Sequence, residues 1–283
     1  MIIPMTSSSH QESLAALRWL IEAGADETIT EAPVNRFAAR KSPATALPDP
    51  PSRMRSGGSS LPLEAGGNTN AAAEAVSLST VPGAARALAA SCRTLADLKA
   101  ALQNFDGIEL KRSAKNMVFA DGNPAGRIML IGEAPGRDED EQGLPFVGRA
   151  GKLLDRMLEA IGLDRTKVYI TNVLNWRPPQ NREPSPEEAA ACLPFLHRHI
   201  ELADPKIMIL LGAVSVRHVL GLTEGITRLR GRWEIYQSAG LNRAIPVMPT
   251  LHPAYLLRQP AAKRLAWRDL CAVAEKIEEL GLA

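Results

Sequence analysis

Aromatic side chains are scarce in this chain, 4% of 283 residues, and cysteines scarcer still, with Cys92, Cys192 and Cys271 far apart and odd in number. That spacing argues against a disulfide framework and makes a reducing cytoplasm the expected compartment. No apolar run approaches the roughly 20 residues of a membrane-spanning helix, and the start, M-I-I-P-M-T-S-S-S-H, carries neither a basic nor an apolar leader. Nor does one sign of charge dominate, since the formal net charge is +2. Local grouping matters more: acids crowd residues 133–141, while bases crowd 228–232 and 258–268. What the chain has in quantity is apolar residue, 45%, ample for the core of one large or two small domains.

Taken in order, residues 11–24 set Leu14, Leu17, Leu20 and Ile21 at helical spacing before Gly24, which predicts a short amphipathic helix within an extension over 1–30. Residues 31–84 turn to Pro, Ser, Gly, Ala and Asn and read as a disordered linker. Residues 85–283 are the expected compact domain. Helix formers fill 84–103, interrupted near Ser91–Thr94; Met117–Phe119 predicts a short strand, and Asp121–Pro124 a turn. From Ile128 onward strand and helix alternate, the pattern of parallel strands with helical crossovers. The expected strands are 128–131, 168–171, 207–211 and 245–250. Ser185, Pro186 and Glu188 form a helix start with a capping box. The fold class expected is α/β: a three-layer α/β/α sandwich on a short, mainly parallel four-stranded sheet.

In open α/β sheets ligands bind outside the carboxyl ends of the strands. Here those ends are Gly132-Glu133, Asn172, Gly212-Ala213 and His252, and Phe146 sits in the Gly-rich loop after the first strand. A ring and an amide together suit a flat heterocycle, stacked on one and read along its edge by the other. The run Asp138-Glu139-Asp140 suggests magnesium, but no phosphate-binding P-loop accompanies it, so no metal is expected there.

Four motifs in order, G-E-A-P-G-R-D-E-D at 132–140, G-L-P-F-V-G-R-A-G at 143–151, T-N-V-L-N-W-R-P-P-Q-N-R at 171–182 and H-P-A-Y-L-L-R at 252–258, resemble the family 4 uracil-DNA glycosylases. The resemblance runs from about residue 110 to 280. It implies a DNA repair hydrolase that extrudes uracil and cleaves its N-glycosidic bond, leaving an abasic site. On that resemblance Phe146 stacks on the base, and Asn172 accepts from N3–H and donates to O4. Gly132 lines the uracil site, Glu139 crowds the ring's 5-position against thymine, and His252 donates to O2 as charge grows there. Family 1 relatives carry an aspartate where this chain has Ala134, which leaves Glu133 either to orient water or to serve a structural role. The segment from His252 outward implies a wedge, Leu256 or Leu257, followed by phosphate contacts from Arg258, Lys263 and Arg264, with Arg177, Arg182, Arg230 and Arg232 as further candidates.

The chain also departs from its family, which commonly carries a 4Fe–4S cluster on four cysteines. Aligned on residues 116–123, three of those positions hold Phe105, Ile108 and Trp176, and only Cys192 is kept. The expectation is therefore no cofactor. Residues 172–184 hold no histidine, so turnover by water is expected over a covalent trap. The partner expected is uracil-containing DNA, single- or double-stranded, acted on by a monomer in a bacterial-type cytoplasm, with no membrane partner. A noncatalytic nucleic-acid-binding module and a glycosylase of broader base range are the competing readings.

Overall fold

The computed structural model describes residues 81–282, so the expected helix at 11–24 and nearly all of the expected linker lie outside the described residues. Two helices come first, over residues 81–91 (α1) and Leu95–Asn104 (α2). Thr94 separates them because its side chain accepts from Asp97 N while the Asp97 carboxylate takes the Thr94 amide, a reciprocal cap that starts a helix afresh. Then follow Asp121–Gly122 (β1), Ile128–Gly132 (β2), Arg137–Gln142 (α3), Arg149–Glu159 (α4) and Tyr169–Asn172 (β3). The second half runs Pro186–Ala203 (α5), Ile207–Leu211 (β4), Ala213–Leu220 (α6), Ile226–Leu229 (α7), Glu234–Tyr236 (β5), Ile245–Thr250 (β6), Pro253–Arg258 (α8) and Lys263–Glu279 (α9).

The sheet has six strands in the order β1-β3-β2-β4-β6-β5. Its four central strands are parallel, as expected, and an antiparallel strand is added at each edge. Asp121–Gly122, expected to turn, pairs with β3, while Met117–Phe119, expected as a strand, forms no ladder. That segment is held by Asn175 instead: Val118 N donates to the Asn175 carbonyl (2.8 Å) and Asn175 Nδ2 to the Val118 carbonyl (3.0 Å). The edge strand β5 alternates too briefly to give a pattern.

Because side chains alternate across a strand, each apolar run feeds two cores. Ile131, Met129, Met208, Leu210 and Val247 face α5 residues such as Phe195 and Ile200, whereas Ile128, Leu130, Ile209 and Met248 face Leu154, Leu158, Val273 and Ile277 of α4 and α9. Both faces are thus covered, giving the three layers. The capping box of α5 is present, with Ser185 Oγ accepting from Glu188 N at 3.2 Å and Glu188 Oε2 from Ser185 N at 2.8 Å.

One core feature predicts an acid sensitivity. His199, buried on α5, stacks on Phe119 with ring centroids 4.4 Å apart and hydrogen-bonds Tyr169 Oη at 2.8 Å. Burial pushes its pKa down to about 3, so it is neutral when folded but charges near the usual histidine value when unfolded. Below about 6.5 the unfolded chain binds the extra proton, and the stability this group confers is lost as pH falls towards its folded value. The melting temperature is expected to drop between pH 7 and 4, and less steeply in His199→Asn; identical slopes would rule His199 out as a source.

Candidate active site

The parallel register lays Gly132 directly beside Asn172 at the carboxyl ends of β2 and β3. A Cβ on Gly132 would collide with Asn172 Oδ1 and lie 2.5 Å from Phe146 Cζ, so glycine is what allows the amide and the ring to share one space. Asn172 is buried, and its Oδ1 is the one buried side-chain N or O atom without a hydrogen-bond partner among the described residues. Such an acceptor costs roughly 1–3 kcal/mol until something donates to it.

Phe146 is buried and takes a left-handed backbone, φ 55°, which a bulky residue adopts only when its surroundings compel it. The compelling partner is Arg165. It donates to the carbonyls of Phe146 and, at 3.1 Å, Pro145, and is itself fixed by Asp121 (2.6 Å) and Asp155 (2.9 Å). Gly151 completes the seat, since a Cβ there would strike the Phe146 carbonyl. No sequence signal pointed to Arg165, because its target is a backbone carbonyl 19 residues away.

His252 caps α8, its Nδ1 accepting from Ala254 N at 3.1 Å. That bond leaves the ring proton on Nε2, so the histidine faces the crevice as a neutral donor. Burial, with Arg258 nearby, lowers its pKa to about 4 and keeps it neutral at physiological pH. The His252 and Phe146 rings lie 5.6 Å apart and tilted by 31°. Behind the histidine, Thr250 Oγ1 donates to the buried Asp269 carboxylate at 2.7 Å, and Arg230 forks onto the same carboxylate, pinning the end of β6 to α9. Glu133 is half-buried, and its carboxyl has no hydrogen-bond partner among the described residues. Burial raises its pKa, Glu183 adds to the rise and Arg217 opposes it.

Ring, amide, neutral imidazole and carboxyl therefore meet at the strand ends of a doubly covered parallel sheet. The model of the uracil DNA glycosylase superfamily matches residues 119–271, over half of the chain. The chain belongs to the uracil-DNA glycosylase superfamily. Within it, the type-4 uracil-DNA glycosylase of Sulfurisphaera tokodaii is 41% identical over 172 residues, 59% of this chain and 76% of the relative. That of Archaeoglobus fulgidus is 39% identical over 171 residues (59% and 85%), and that of Thermotoga maritima 46% over 158 residues (55% and 80%).

Other residues expected to serve the glycosylase site are placed less uniformly. Glu139 is not a solvated loop acid: Oε1 accepts from Val147 N (3.0 Å) and Gly148 N (2.9 Å), and Oε2 from Gly136 N (3.1 Å), which stitches α3 to the Phe146 loop. Leu256 is fully buried, packed with Leu153, Met157 and Leu270, and so is corrected from a wedge to a core residue. Leu257, 37% exposed on the opposite side of α8, remains accessible. Lys263 is buried at the start of α9, whereas Arg258 and Arg264 are exposed. Arg177 Nε donates to Asn181 at 2.7 Å, and Arg182 is committed to Glu188 at 2.8 Å.

The expectation of a protein without cofactor is overturned by these relatives, which are type-4 enzymes, the group to which the resemblance attaches a 4Fe–4S cluster. The four corresponding positions do not by themselves supply its ligands. Ile108, Trp176 and Cys192 are buried in one apolar cluster with Phe105 packed against it, and burial raises the Cys192 pKa to about 12, holding the thiol protonated. No group of three or more His, Cys, Asp or Glu able to hold a metal occurs among the described residues.

Proposed function

We propose that this protein hydrolyses the N-glycosidic bond of uracil in DNA and leaves an abasic site, the first step of base excision repair. The observation that carries the reading is the unpartnered Asn172 carbonyl facing Phe146 across Gly132. Uracil N3–H supplies the missing donor, and the Asn172 amide donates to O4. Cytosine offers an acceptor and a donor in the opposite order and leaves buried groups mispaired. As the bond breaks, the sugar takes on oxocarbenium character and uracil departs as an anion, with the His252 Nε2–H aimed at O2. Water then adds to the sugar carbon and passes its proton to the Glu133 carboxylate, from which it leaves with the uracil anion to give neutral uracil. Glu133, whose carboxylate is made more basic than usual by burial and by Glu183, orients that water.

The contacts with DNA follow from exposure. Leu257 enters the space left by the base, and Arg258 and Arg264 neutralise phosphates. One chain supplies the whole base site, which supports a monomer, and a chromosomal substrate supports action in a bacterial-type cytoplasm. Residues 85–283 form the catalytic domain in this reading, with 1–30 as an extension and 31–84 as a linker. Among the described residues no helix is long and apolar enough to cross a membrane.

The test is single-turnover release of uracil from a labelled oligonucleotide. Wild type is expected to release it, and Asn172→Asp, which replaces the O4 donor by an anion, to do so roughly 5- to 150-fold more slowly. Equal rates would remove Asn172 from base reading. No release from uracil, hypoxanthine or xanthine substrates, even as single strands, would favour a noncatalytic binding module.

A further inference from the structure

Beside the base crevice lies a groove of about 440 Å³ lined by Arg137, Asp138, Glu139, Arg149, Arg177 and Asn181, among others. It adjoins the proposed uracil site directly, since Glu139, in its wall, holds the amides of Val147 and Gly148 that follow Phe146. Those amides are spent on Glu139, so recognition here rests on guanidiniums. Arg149 is exposed and makes no hydrogen bond or ion pair among the described residues. Arg177 uses only Nε, on Asn181, which leaves its terminal nitrogens available. Arg137 reaches Asp138 only loosely, at 3.5 Å, with its side chain 72% exposed. Glu139 is occupied by three amides, while Asp138 has only that loose contact. Three arginines against two acids still leave the groove cationic by one charge, with unused, fork-shaped donors on Arg149 and Arg177.

We propose that this groove is a phosphodiester subsite, in which Arg137, Arg149 and Arg177 hold a backbone phosphate of the strand whose base enters the Phe146–Asn172 crevice. The proposal rests on the DNA-glycosylase reading for its ligand and adds to it a site at the start of α4. The planar guanidinium matches two phosphate oxygens at once, which a solvated lysine does not. Holding that phosphate fixes the strand at a point besides Arg258 and Arg264. The sugar of the extruded nucleotide is then presented in one orientation.

The test is the salt dependence of binding to a single-stranded oligonucleotide, with and without one uracil, for wild type, Arg137→Gln/Arg149→Gln and, as a surface control, Lys99→Gln on α2. Losing one phosphate contact is expected to lower the slope of log K against log salt by about 0.7 in the double variant on both oligonucleotides. Lys99→Gln is expected to leave it unchanged, and free uracil is expected to inhibit the double variant as it does wild type. An unchanged slope in the double variant, or an equal fall in Lys99→Gln, overturns the subsite. The uracil-free oligonucleotide reads the phosphate contact whether or not uracil is released, so failure of the glycosylase reading shows separately, as absence of release by wild type.

Discussion

His252→Ala is expected to slow single-turnover uracil release about 100- to 1,000-fold, the usual cost of removing one donor aimed at charge that develops in the transition state. The effect belongs in the chemical step, because a neutral imidazole contributes little to ground-state binding. Affinity for abasic DNA and for free uracil should therefore change far less than the rate. The Nδ1 bond to Ala254 N makes a sharper expectation available. A histidine titrating near 6.5 would alter its role across pH 6 to 7, whereas this one, lowered to about 4, stays a neutral Nε2–H donor through that interval. The ratio of wild-type to His252→Ala rates should thus be flat from pH 5.5 to 8. A ratio that collapses as pH rises through 6.5 would mean that the imidazolium is the working form, and the tautomer argument would fail.

Gly132→Ala is expected to lower kcat/KM by about 100-fold while leaving the fold intact. Its Cβ would collide with Asn172 Oδ1 and approach within 2.5–2.8 Å of the Phe146 ring, so both base-binding groups must retreat from each other. Misplacement of a positioning group by about 1 Å is typically worth a factor of about 100. The methyl group presses on Phe146, which also packs in the core between β2 and α4, so the melting temperature is expected to fall as well. Uracil inhibition measured beside melting separates the two effects. A variant that binds uracil normally would show that ring and amide do not share one ligand.

Much of the fold could be read beforehand because its central strands are uninterrupted apolar runs and its helices carry strong end signals, as at Ser185 and Glu188. The missed elements, β1, β5, α3, α7 and α8, span two to six residues, too short for any period to register. The site residues at strand ends were legible for a related reason: the ladder fixes Gly132 opposite Asn172 once the strands are recognised. Other roles were hidden because they depend on direction. Leu256 and Leu257 look alike in sequence, and only the turn of α8 sends one inward and the other out. Arg230 looked like a phosphate ligand and is instead folded back onto Asp269. Glu139 and Arg165 act on backbone groups that the loop brings near them, and no residue pattern announces a carbonyl or an amide as a partner.

The stitched loop between Gly136 and Gly148 also bears on how damage is found among intact bases. With Glu139 satisfied by three amides and Arg165 holding the Pro145 and Phe146 carbonyls, the reading surface is assembled before any strand arrives. An intact base that wanders in meets a finished template and leaves without the protein having rearranged. What the complex must then supply is the extrusion of the base itself, a few kcal/mol, with little added for ordering the protein.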